Sequence, residues 1–215
     1  MVLSRPAKIG LAVIAIGLLP MIVFFVWYAH IKTVPVDKPI SLSVGHIREP
    51  FSLNFTSADY RMGIEVERKL PHETLQCLLG IKDYVPEGQC KSIPPVLHFN
   101  WTLTQNGRIL ESGSSDSILG GAYTDATVEN QFGSFDGKRG QRYVLDLNIL
   151  QDGSALSVAK PKLVIGVSGF VNEDLAVGGL ITLAWALFWC FTGALIWLIL
   201  LIAARRKKKG TVTAV

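Results

Sequence analysis

The chain has 215 residues, of which 49% are hydrophobic, with 21 Lys and Arg against 17 Asp and Glu. A mean hydropathy of +0.36 is too apolar for an ordinary soluble domain and points to membrane segments. The net charge of +4 is segregated rather than spread over a patch, which excludes a nucleic-acid surface as its main meaning: seven basic residues and no acid lie in the two tails, leaving 14 Lys and Arg against all 17 acids between them.

Residues 1–8 form a short tail with Arg5 and Lys8. Residues 9–29 are uncharged and, at about 1.5 Å per residue, long enough to cross a hydrocarbon core of roughly 30 Å. A cleaved signal peptide is the rival reading of this stretch. Its apolar run is about twice the usual signal length and Trp27-Tyr28-Ala29-His30 makes a poor cleavage site, so it reads as an uncleaved signal anchor, kinked at Pro20. Residues 30–39 carry two prolines and no helical period, the pattern of an extended connector.

From residue 40 to 174 the period is two. In 96–104, Leu97, Phe99, Trp101 and Leu103 alternate with polar residues, as a strand with one buried face requires. Asn106-Gly107, the preferred pair for a tight hairpin, predicts a returning strand over 108–111. Further strands are expected over 40–44, 51–55, 62–67, 143–149 and 163–167. Many short strands separated by Gly, Pro and Asx turns make the class mainly β, an extracytoplasmic β-sandwich or jelly roll flanked by two transmembrane helices. Residues 71–95 and 113–140, rich in turn-forming residues, read as long loops, and Tyr123, Phe132 and Phe135 in the second are candidate ligand or partner contacts. Core packing is the competing reading of those aromatics.

Residues 175–204 form the second span, followed by the basic tail 205–215 with Arg205, Arg206, Lys207, Lys208 and Lys209. Basic residues beside a span stay cytoplasmic, so both termini are assigned there, the middle is exported, and the basic tail is expected to touch anionic lipid. An oxidising compartment favours a Cys77–Cys90 disulfide, which closes a loop of about 14 residues and contributes about 3 kcal/mol on the chain-entropy model; Cys190, inside the second span, stays a thiol. Compact size and minimal tails favour a bacterial inner membrane with a periplasmic domain over a eukaryotic secretory or plasma membrane. The sequons at Asn54 and Asn100 would matter only in the latter.

No catalytic, cofactor-binding or metal-ligating pattern is expected from the sequence. Gly113-Ser114-Ser115-Asp116-Ser117 is not a nucleophile elbow; the four His have no partner at metal-ligand spacing; Gly120-Gly121 is not a phosphate loop. The spans contain no ionisable side chain of the kind that marks an ion path. The second does carry Thr182, Ala186, Cys190 and Ala194 at successive fourth positions, a candidate helix-packing stripe that Gly10 and Gly17 of the first span could face, while the bulky Trp185, Trp189 and Trp197 are expected to meet lipid or fill grooves elsewhere. The C-terminal Thr213-Ala214-Val215 could enter a peptide-binding groove. These features favour a non-enzymatic accessory or assembly subunit that binds a membrane partner, or itself, through the spans. A membrane-anchored module for glycan or cell-wall polymer and a membrane-tethered hydrolase are the alternatives.

Overall fold

The computed structural model describes residues 5–81, 89–116 and 119–212. Thr213, Ala214, Val215 and Ser117 lie outside the described residues, as do the side chains of Arg5 and of Arg205, Arg206, Lys207, Lys208 and Lys209. In chain order the elements are α1 (Arg5–His30), β1 (Val36–Pro39), β2 (Gly45–Ser52), β3 (Ser57–Glu67), α2 (His72–Leu79), β4 (Phe99–Gln105), β5 (Arg108–Ser114), β6 (Gly120–Tyr123), β7 (Thr127–Gly137), β8 (Arg142–Ile149), β9 (Lys162–Val167) and α3 (Gly169–Val212). They fall into two compact units, one of α1 with α3 and one spanning Lys32–Val171.

The helical unit is an antiparallel pair. Both helices are long and apolar enough to cross a membrane, and only 11% of the most apolar stretch of either is buried. Their seam is made by glycine: a Cβ on Gly17 would overlap that of Trp189, one on Gly10 would lie 3.0 Å from the Trp197 Cβ, and one on Gly193 would lie 2.7 Å from Ile14 Cγ1. Small residues let the backbones approach closely, which supplies packing where no hydrophobic drive acts between helices. Of the predicted stripe, Ala186 is buried and Thr182 and Cys190 are half-buried, but Ala194 is exposed and Gly193 takes its place. A strict fourth-residue row drifts by about 40° per step around a helix of 3.6 residues per turn, so a straight seam alternates steps of three and four. Trp189 and Trp197, expected by their size to meet lipid or fill grooves elsewhere, therefore have their Cβ atoms against Gly17 and Gly10. Pro20 lies inside α1, which continues through it.

The Lys32–Val171 unit is mainly β, with two antiparallel sheets in the orders β1-β9-β3-β7-β6 and β2-β8-β4-β5. Their facing side chains share one core. Phe99 and Trp101 of β4 meet Phe132 of β7 at ring separations of 5.0 and 5.7 Å, and Phe135 of β7 sits among Tyr60, Phe51 and Tyr143 at 5.4, 6.1 and 5.2 Å.

Several strand boundaries differ from expectation. Residues 40–44 alternate in polarity but carry the chain from one sheet to the other: Leu42 enters the core, while the backbone bonds to Pro161 and Gly153 instead of a neighbouring strand. Residues 51–55 leave β2 at Ser52, and Leu53 turns to bond Gln141. The predicted loop 113–140 instead contains β6 and the eleven-residue β7, which pairs with both β3 and β6. Its glycines resemble loop composition but are there for close approach. A Cβ on Gly133 would lie 2.6 Å from Met62 Cε and 2.8 Å from the Trp101 ring. The other predicted loop, 71–95, contains α2, which starts after Pro71 and ends at Gly80 with φ 73°, the left-handed stop that glycine supplies without strain.

Candidate functional site

Three regions of the β-domain hold the residues singled out from sequence or left unpaired by the fold. The first is the corner built by α2. Cys77 of α2 is bonded to Cys90, with a Cα–Cα distance of 5.3 Å, and Cys190 is a free thiol. The buried Asn130 amide donates to the Leu79 carbonyl at 2.5 Å, tying the end of α2 to β7. Tyr123 lies on β6 rather than in a loop; its hydroxyl accepts from Gln76 Nε2 at 3.2 Å and its ring meets the His72 ring at 5.2 Å. Phe132 and Phe135, also predicted in a loop, are only 1% and 4% exposed in the core, so the three aromatics do not form one surface. A strand with a buried face alternates, and Val128, Asn130 and Phe132 do so; that signal was masked by the neighbouring Gly, Ser and Asp.

The second region is the outer face of the five-stranded sheet. Glu65 and Glu129 are directly opposite across β3 and β7, and Gly63 beside them leaves the space in which the Glu129 carboxylate lies. Burial pushes the Glu129 carboxyl above the usual glutamate range, Glu65 adds to this, and the Gln131 amide and Arg61 oppose it. Nearby, Arg61 donates from Nε and Nη2 to the two Asp59 carboxylate oxygens, at 2.6 and 3.0 Å, and holds that carboxyl low. Because folded Glu129 keeps its proton at a pH where an unfolded glutamate has released it, its contribution to stability is full below the ordinary value of 4.5 and is lost as pH rises through the folded value. Glu129→Gln should therefore raise the thermal midpoint at neutral pH and leave it unchanged below pH 4.5. Melting curves at the two pH values check this; an equal shift at both would show that packing, not titration, is responsible.

The third region is the set of sheet edges. β1 is four residues long and ends in Pro39, β2 contains Arg48, Glu49 and Pro50, and β6 has four residues; short length, charge and proline all blunt an edge. β5 carries Arg108 and Glu111, but it has seven residues and no proline. Among the described residues it pairs only with β4, through the hairpin at Asn106-Gly107, whose φ values of 51° and 79° are those the turn requires. Its neighbours Ile109 and Leu110 are 70% and 39% exposed, and consecutive strand residues point to opposite faces.

The remaining candidates are dispersed. Gly113 and Ser114 belong to β5, and the buried Ser115 hydroxyl accepts from the Phe99 amide at 3.3 Å. Asn100 is exposed on β4, and the Asn54 side chain accepts from the Lys32 amide at 2.8 Å. No group of three or more His, Cys, Asp or Glu placed to hold a metal ion occurs among the described residues.

No known protein family matches the chain. No curated protein matches it either. Among solved structures, the crystal structure of a protein from Sulfurospirillum deleyianum is similar at 14% identity over 63% of this chain and 98% of that one, with a TM-score of 0.46, a likeness from which nothing is transferred.

Proposed function

We propose that this protein is a non-enzymatic accessory or assembly subunit of a membrane complex, whose β-sandwich docks a partner subunit along the free edge of β5. In this reading α1 and α3 cross the bilayer as a hairpin, both termini are cytoplasmic, and the β-domain lies on the oxidising side, in keeping with the Cys77–Cys90 bond. The observation that carries the docking site is the β5 edge itself. Among the described residues it has no strand on its outer side, and it carries exposed Ile109 and Leu110, whereas the other three edges are short or carry proline. An extended segment added to such an edge gains main-chain hydrogen bonds, and the alternating side chains set which segment fits. The buried Phe132 and Phe135 favour this over an aromatic glycan-binding surface.

A photo-reactive residue at position 109 in the full-length chain, activated in native membranes, should cross-link one discrete membrane protein. The same residue at Ser157 should not. Leu110→Lys should abolish the cross-link and leave the disulfide-bonded domain folded. Equal labelling from positions 109 and 157, or none from 109, would reject the reading.

A further inference from the structure

We infer that the loops at the end of the β-domain where the chain enters and leaves it form a basic surface that binds the headgroups of anionic phospholipid. Backbone and side-chain hydrogen bonds gather these loops from four distant parts of the sequence. The Lys32 amide donates to Asn54 Oδ1 at 2.8 Å; Gly140 donates to the Leu53 carbonyl at 2.7 Å; Arg139 donates through its amide to Thr56 Oγ1 at 2.9 Å; Asn106 Nδ2 donates to Gln141 Oε1 at 3.3 Å. The pairing of Ser52 with Arg142 and of Gln105 with Arg108 completes the cluster.

Five exposed cations result: Lys32, Arg108, Lys138, Arg139 and Arg142. None forms an ion pair among the described residues; Asp136 at the end of β7 and, in sequence just past the exit, Glu173 and Asp174 are acids that also form none there. Elsewhere on the domain most of the described cations are paired, Arg68 and Lys91 being the exceptions. Lys38 pairs with Glu49, Lys69 and Lys160 with Glu67, Lys162 with Asp37, Arg61 with Asp59 and Arg48 with Asp146. Uncompensated like charges repel one another, so gathering five at one end raises the free energy of the isolated domain and favours an anionic counter-surface.

Connectivity says which surface that is. Only Ile31 separates His30, the end of α1, from Lys32, and only Ser168 separates Val167 from Gly169, the start of α3. Trp27 and Tyr28, exposed in the last turn of α1, are the residue types that settle at the headgroup level. The inference rests on the reading that the helices cross a bilayer, and the two can fail separately.

The test uses the full-length chain in nanodiscs of zwitterionic lipid alone or of zwitterionic lipid mixed with phosphatidylglycerol. Amide hydrogen exchange over 53–56, 106–108 and 138–142 should slow in the anionic discs, and high salt should reverse the effect. Each basic side chain near an anionic surface contributes about 1 kcal/mol, or about fivefold in the bound population, so Arg108→Gln with Lys138→Gln and Arg139→Gln should cut the protection roughly a hundredfold. These are exposed positions, and an unchanged exchange pattern in β3 and β7 will show that the variant is folded. Equal exchange in both lipids would overturn the inference, as would protection that appears only when an acidic polypeptide is added. Failure of the chain to enter discs at all would overturn the membrane reading and this one with it.

Discussion

Phe135→Ala should destabilise the β-domain by about 3–5 kcal/mol, the range for removing a fully buried aromatic ring. The side chain is 4% exposed and is held by Phe51 and Tyr143 of one sheet and Tyr60 of the other, so neither sheet can close the space without the other moving. Tyr60 is constrained in its own right: its hydroxyl donates to the Phe55 carbonyl at 3.0 Å, and burial pushes its pKa up to about 12. Denaturant titration followed by hydrogen exchange in β3 and β7 would measure the loss. A change within about 0.5 kcal/mol, the size typical of surface positions, would place the ring outside the core and restore Phe135 as a binding residue.

Removal of the Cys77–Cys90 bond is the second large effect. Cys77→Ala with Cys90→Ala should cost about 3 kcal/mol on the loop-closure model for a sequence separation of 13. The damage should concentrate at α2, which holds Leu75 and Leu79 in the core and supplies the carbonyl that Asn130 uses. Reductant should reproduce the shift in the wild type and have no effect on the double variant, with Cys190→Ser behaving as wild type. A midpoint insensitive to both reductant and mutation would mean that α2 is held by packing alone.

Much of this fold was legible because its signals are local. Uncharged runs marked the two helices, period two marked β4, β8 and β9, and Asn106-Gly107 marked the hairpin between β4 and β5. Helix ends were less so: α3 begins at Gly169 because Glu173 and Asp174 in its early turns do not prevent a helix, although they ended the predicted apolar run. β7 was hidden by Gly133 and Gly137, whose purpose is visible only once Met62, Trp101 and Tyr60 are in place across the core. A row at every fourth residue misses the seam between α1 and α3, which needs three-four spacing and Gly193. The basic end could not be read at all, since Lys32, Arg108 and Lys138 become neighbours only through strand register.

The position of β1 has a consequence for biosynthesis. This strand is made first, yet among the described residues its only sheet partner is β9, the last strand made, in the register Val36 to Ile165. At a synthesis rate of about 5–20 residues per second, the first strand waits on the order of ten seconds for its neighbour. The five-stranded sheet is therefore incomplete until the ribosome is already translating α3, whose first residue follows β9 by two. Closure of the domain and emergence of the second apolar helix become nearly simultaneous events, and a chain stalled or truncated before Lys162 must keep β1 and the β3 edge open to whatever other strand it meets.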